Sequence, residues 1–283
     1  MDAAPNPLAN VALRYRVLMD RPAPARAVLL WLESAALAWL TLWIPSLLGA
    51  NGSQHGIFAL LLLALCLHHR FDRLLAEHRE RIMARGTRPA TAHRIAATSI
   101  LAMFLGVITA YGSTVALWSL SRVETTFGFV VQAAGVARGD LLARQFGDPS
   151  SLVAHNVRVL IAVVFLCGIW RAYAAVLVLG WNACVWVVAL GILATRTVLD
   201  PPGMAMALGG VMPHLVLELC AYIAAALGGI FASRGVTRHR ADSALQTEIL
   251  KNAAALIFMG LVLVILAGVV EATLPAWVFA RLS

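Results

Sequence analysis

His214 and Glu218 stand four residues apart, directly after Pro213, in the stretch "GVMPHLVLELCAYIAAALGGIF" (210–231). Everything else in that stretch is apolar or small. Residues i and i+4 are neighbours on a helix surface, so an imidazole and a carboxyl share one face. Three kinds of chemistry suit such a pair inside a membrane. It can meet opposite charge and pin helices together. With further carboxylates it can relay protons or coordinate a cation. With more ligands it can hold a metal. The groups available to join it are Glu33 in the first apolar run, Asn156, Arg158 and Arg171 around the fourth, Asn182 in the fifth and Glu271 in the last. Each ionisable group in a span costs about 2.5–3.5 kcal/mol by insertion scales, so it is expected to face protein or a water-filled cavity.

The metal reading is the weakest on these residues. A HExxH-type zinc site needs two histidines on one helix and a further ligand, and no such motif is present. His55, His68, His69, His78, His93, His155 and His239 fall mainly in connecting segments. GxSxG, the phosphate-cradling GxxxxGK[ST] and CxxC are also missing. The expectation is therefore no catalytic residue, no metal and no cofactor, and an ATP-driven role would need a separate nucleotide-binding subunit. The polar cluster expected is Asn156, Arg158, His214, Glu218 and Glu271. Either Glu218 or Glu271 is expected to pair with Arg158 or Arg171, while the relay reading stays open.

The face that carries His214 and Glu218 continues through Ala221, Ala225 and Gly229. Such small-xxx-small stripes let helices approach closely. The last apolar run offers a matching pair, Ala267 and Glu271, also i and i+4. "ALGG" occurs twice, at 207–210 and 226–229, as a packing pattern.

The elements that must position these residues are membrane helices. The chain of 283 residues is 61% hydrophobic and only 13% charged, with a mean hydropathy of +0.83; soluble domains carry about 25% charged residues. Seven apolar runs are candidates for spans: Ala27–Leu48, Gly56–His68, Ile95–Leu120, Val157–Leu177, Gly180–Ala194, Leu208–Phe231 and Ala253–Val270. A span needs about 20 apolar residues, so the second and fifth are short. Val157–Ala194 is either two spans with a tight turn or one span and a re-entrant piece. The fold expected is all-α, a polytopic membrane bundle of six or seven transmembrane helices with short interfacial helices, one membrane domain over 1–283.

The net charge is +8, and Lys251 is the only lysine among 22 basic residues. The arginines lie mostly between apolar runs, which points to topology and anionic lipid rather than nucleic acid. Seven fall in "RFDRLLAEHRERIMARGTRPATAHR" (70–94), and Arg14, Arg16, Arg21 and Arg26 precede the first run. The bias places the N-terminal segment (1–26), the 69–94 connection and residues 234–251 in the cytoplasm. Seven spans then put the C-terminus outside. No cleavable signal peptide is evident, and the first run is expected to act as an uncleaved anchor. Residues 10–20, and 70–85 with Phe71, Leu74, Leu75 and Ile82 near one face, are candidates for helices in the headgroup plane. "TTFGFVVQAAGVARGDLL" is too interrupted to span. Asp148 and Pro149 are placed to cap and open the next helix. Cys66, Cys167, Cys184 and Cys220 lie in apolar runs and read as small hydrophobes.

Three blocks resemble the stage II sporulation protein M family of integral membrane proteins. "HNVRVLIAVVFLCGI" (155–169) is similar to the family's Asn-x-Arg motif opening a span. "GGVMPHLVLELCAYIAAALGG" (209–229) is similar to its Pro-His-Gly…Glu-Leu-x-Ala signature. "VILAGVVEATLPAW" (264–277) is similar to its closing Ala…Glu-Ala…Pro segment. The match covers about residues 150–280 and falls on Asn156, Arg158, Pro213, His214, Glu218, Glu271 and Pro275. Leu215 stands where the family has glycine, and Ala183 follows Asn182 in place of glycine. The resemblance implies a non-catalytic multi-pass protein of the bacterial inner membrane. The implied partners are the lipid bilayer and other membrane or envelope proteins, with a homo-oligomer open. The alternative is the permease subunit of an ABC-type exporter with a cytoplasmic ATPase.

Overall fold

The computed structural model describes residues 23–49, 52–83, 89–133, 149–196, 201–238 and 244–282. Among them are nine helices and no strand: α1 (Ala23–Leu47), α2 (Ser53–Met83), α3 (Pro89–Leu117), α4 (Leu120–Thr126), α5 (Gly128–Ala133), α6 (Pro149–Trp170), α7 (Ala172–Arg196), α8 (Pro201–Arg238) and α9 (Ala244–Leu282). Six of them, α1, α3, α6, α7, α8 and α9, are long and apolar enough to cross a membrane. The protein is a multi-pass, all-α membrane bundle.

The seventh long helix, α2, contains the short run Gly56–His68. Arginines and histidines dilute its hydropathy, yet it lies alongside α1 along that helix's length. His55 meets the Leu42 carbonyl and Ser46 at one end, and Glu77 meets Arg26 at the other. These contacts also show that α1 and α2 are antiparallel. Between them Gly49 and Gly52 have φ of 78° and 62°, values that glycine adopts without a Cβ penalty.

The long helices alternate in direction. α3 runs parallel to α1, with Gly106 against the backbone of Trp31 and the Ser34 side chain, and the Trp31 indole donating to Thr109. α7 runs antiparallel to α2, from Tyr173 near His68 to Gly180 against Leu60 and Leu63. α6 runs parallel to α8 and antiparallel to α9. One end of the bundle therefore gathers Arg26, Arg70, Arg171 and Arg234 and is called the basic end; the other is the distal end. α7 packs against α2 and α3 on one side and α6 and α8 on the other, tying the two halves together.

The Val157–Ala194 stretch is two helices broken at Arg171, whose φ is 51°. A single left-handed residue, costly for a side chain other than glycine, turns the chain there. The segment 70–83 is not a separate headgroup-plane helix. It continues α2, and Phe71, Leu74 and Leu75 are buried in the core, because these apolar positions face α3 and α7 rather than lipid. Near the distal end, α4 and α5 send Val123, Phe127 and Val130 into the bundle. Pro149 opens α6. Residues 10–20 and Asp148 lie outside the described residues.

Candidate functional site

The C-terminal half is built on close helix contacts. From Ala221 to Phe231 every position of α8 is buried, as expected for a helix apolar all round. Ala221 and Ala225 face Gly260 of α9: a Cβ there would lie 3.0 Å from the Ala221 carbonyl oxygen. Gly228 lies against Ile257, and Gly229 against the Val164 carbonyl of α6. Ala267 is fully buried. Next to it, Gly268 is in contact with Val153 of α6. The small residues thus serve contacts within one chain, and the stripe divides between two neighbours, α9 and α6.

At the distal end of this unit sit the polar residues. Asn156 Nδ2 of α6 donates to Glu271 Oε2 of α9 at 3.3 Å. Tyr222 OH donates to Glu218 Oε1 at 2.6 Å, within α8. The two carboxyls are near enough for their charges to interact. His214 is 6% exposed, and its Nδ1 has no hydrogen-bond partner. Asn156, Glu218 and Glu271 are thereby brought together with Tyr222. The sequence reading passed over Tyr222, although it stands at i+4 from Glu218, the spacing already used for His214.

Arg158 stands apart. It is exposed, two residues from Asn156 and therefore on another side of α6, and forms no ion pair among the described residues. Arg171 reaches Thr237 instead of a carboxyl, with Nη2 3.4 Å from Oγ1. Neither makes the ion pair expected of it, because α6 turns only Asn156 toward the carboxyls. Asn182 donates to the Val178 carbonyl of its own helix.

Of the charge pairs among the described residues, two lie in the other half and one joins the halves. Arg70 Nε donates to Glu33 Oε1 at 2.6 Å, and its Nη2 contacts the same oxygen. Arg26 bonds Glu77 at 3.3 Å, and Arg234 of α8 bonds Asp72 of α2 at 3.0 Å. Near that last pair, His78 stacks on Phe231, ring centroids 5.3 Å apart.

Chemically, the C-terminal cluster offers carboxyls to neutral donors. Among the described residues no three His, Cys, Asp or Glu side chains are grouped to hold an ion. Among the described residues, two small voids of about 10 and 20 Å³ lie elsewhere, under Arg26 and between α2, α3 and α7. No family model, curated protein or solved structure matches the chain.

Proposed function

We propose that this chain is a non-catalytic, multi-pass subunit of an envelope membrane complex, similar to stage II sporulation protein M, whose work is to hold partner proteins in place. The observation that carries the reading is where the polar groups lie. Asn156 and Glu271 are bonded across a helix contact, and Glu218 is bonded to Tyr222 beside it, in a unit closed by residues as small as glycine. Polar groups placed this way favour a fixed assembly over a moving pathway. The three blocks of the sequence resemblance fall on α6, α8 and α9, which pack on one another. The membrane assigned is the bacterial inner membrane, with the basic end toward the cytoplasm, as arginine bias directs.

Isolation of the tagged full chain from its own membranes in mild detergent tests this. The expected result is a membrane or envelope protein retained at fixed stoichiometry, without ATPase activity. Retention of a nucleotide-binding subunit with ligand-stimulated ATPase would overturn it in favour of the exporter permease. A stoichiometric metal found by elemental analysis, with a reaction that depends on it, would overturn the non-catalytic assignment.

A further inference from the structure

α6 has one face that the described residues do not cover. Leu160, Val163 and Cys167 are buried and Asn156 meets α9. On the opposite side Ile161, Phe165 and Ile169 are 61%, 66% and 54% exposed. Arg158 and His155 are exposed on the same side, since positions 155, 158, 161/162, 165 and 169 recur at helical spacing. Only 22% of this span is buried within the chain, the lowest share of the six apolar spans.

Other bare faces need no protein partner. Val28, Leu32 and Leu40 on α1 are exposed without a charged neighbour in the stripe, and on α9 the stripe of Phe258, Val262 and Leu266 begins at the exposed Lys251 at the basic end; acyl chains and headgroups satisfy both. The α6 stripe carries a guanidinium. Arg158 lies six residues inside the span that begins at Leu152, roughly 9 Å along the axis. Glu218 and Glu271, the carboxyls in the adjoining helix contacts, are held by Tyr222 and Asn156. Among the described residues Arg158 therefore has no anion, and one supplied by another molecule would answer it.

We propose that the face formed by Arg158, Ile161, Phe165 and Ile169 is the docking surface for a transmembrane helix of another protein, one that carries a carboxylate level with Arg158. A carboxylate matches the guanidinium fork with two parallel bonds, and the apolar residues below it give that helix about three turns of contact. A second copy is the poorer occupant: two-fold packing through this face would set Arg158 against Arg158. A lipid phosphate would be met by drawing the side chain out to the surface, which would leave this face to acyl chains like those of α1 and α9 and give no protein adduct from it. This inference rests on the proposed function and gives that assembly its contact point.

Photo-crosslinking in native membranes tests it, with benzoylphenylalanine placed in the full chain at Phe165, and at Leu32 and Phe258 as the other bare faces. The expected result is one adduct from Phe165, to a membrane protein with an Asp or Glu in a span. Arg158→Gln should reduce it at least tenfold and Arg158→Lys much less. Arg158→Glu should abolish it, and exchanging the partner's acid for arginine should restore it. Adducts from Leu32 or Phe258 alone would overturn the surface while leaving the proposed function standing. No protein adduct from any face, together with no co-isolated partner, would overturn both. An adduct to a second copy, or one indifferent to Arg158→Gln, would overturn the proposal. Should Arg158→Gln fail to accumulate, the Arg158→Glu charge exchange decides alone.

Discussion

Among the described residues of α1–α3, arginines answer the carboxyls at the basic end: Arg70 meets Glu33, Arg26 meets Glu77, and Arg234 of α8 meets Asp72. In α6, α8 and α9 no arginine meets Glu218 or Glu271 among the described residues; a phenol and a carboxamide do. The halves also differ in closeness. The C-terminal helices meet at Gly228, Gly229, Gly260 and Gly268, whereas α1 and α3 meet this tightly at Gly106. Charge pairs suit the basic end, where long arginine side chains keep access to headgroups. Farther along the helices, neutral donors spare the bundle a second desolvated charge, and attraction comes from backbone approach. The N-terminal half is tied by charge and the C-terminal half by shape.

The strongest way to break this contrast is to fill the closest contact. Gly229→Leu drives a side chain into the Val164 backbone and is expected to cost about 3 kcal/mol or more, seen as loss of folded protein in denaturant titrations in detergent. Gly209→Ala, with nothing within 4 Å of the added Cβ, is expected to be neutral or slightly stabilising. Next comes charge. Arg70→Gln leaves Glu33 without its cation and should cost about 1–2 kcal/mol, because the pair is partly exposed. Adding Glu33→Gln should restore most of the loss in a double-mutant cycle, and no restoration would show that the pair does not tie this half. Smaller still is the neutral pair. Glu218→Ala strands the Tyr222 hydroxyl and should cost about 1–2 kcal/mol, while Glu218→Gln keeps an acceptor and should cost under about 0.5 kcal/mol. Equal losses would make the charge of Glu218 matter after all. The smallest effect belongs to Arg158→Gln, since Arg158 is exposed and forms no ion pair among the described residues. Its stability should stay within about 0.5 kcal/mol of the parent, even as crosslinking changes.

Much of this was legible in the amino-acid order. Apolar runs marked the long helices, and Ala221, Ala225 and Gly229 marked where α8 meets neighbours. What hydropathy hid was α2: His68, His69, Arg70 and Asp72 lower its average, yet Arg70 and Asp72 are paired to other helices. The break at Arg171 was invisible because no Gly or Pro signals it. The partners of the carboxyls were misjudged for a further reason. Composition reports how deep a residue sits but not which way it points, and Arg158 and Asn156, two residues apart, look in different directions. Tyr222 was readable from spacing alone, once a phenol is counted as a donor to carboxyl.

The one-residue junction at Arg171 also bears on how the helices can move. With a single residue between α6 and α7, neither can slide along its axis without carrying the end of the other. A displacement of α6 is thus handed to α7, the helix that touches both halves.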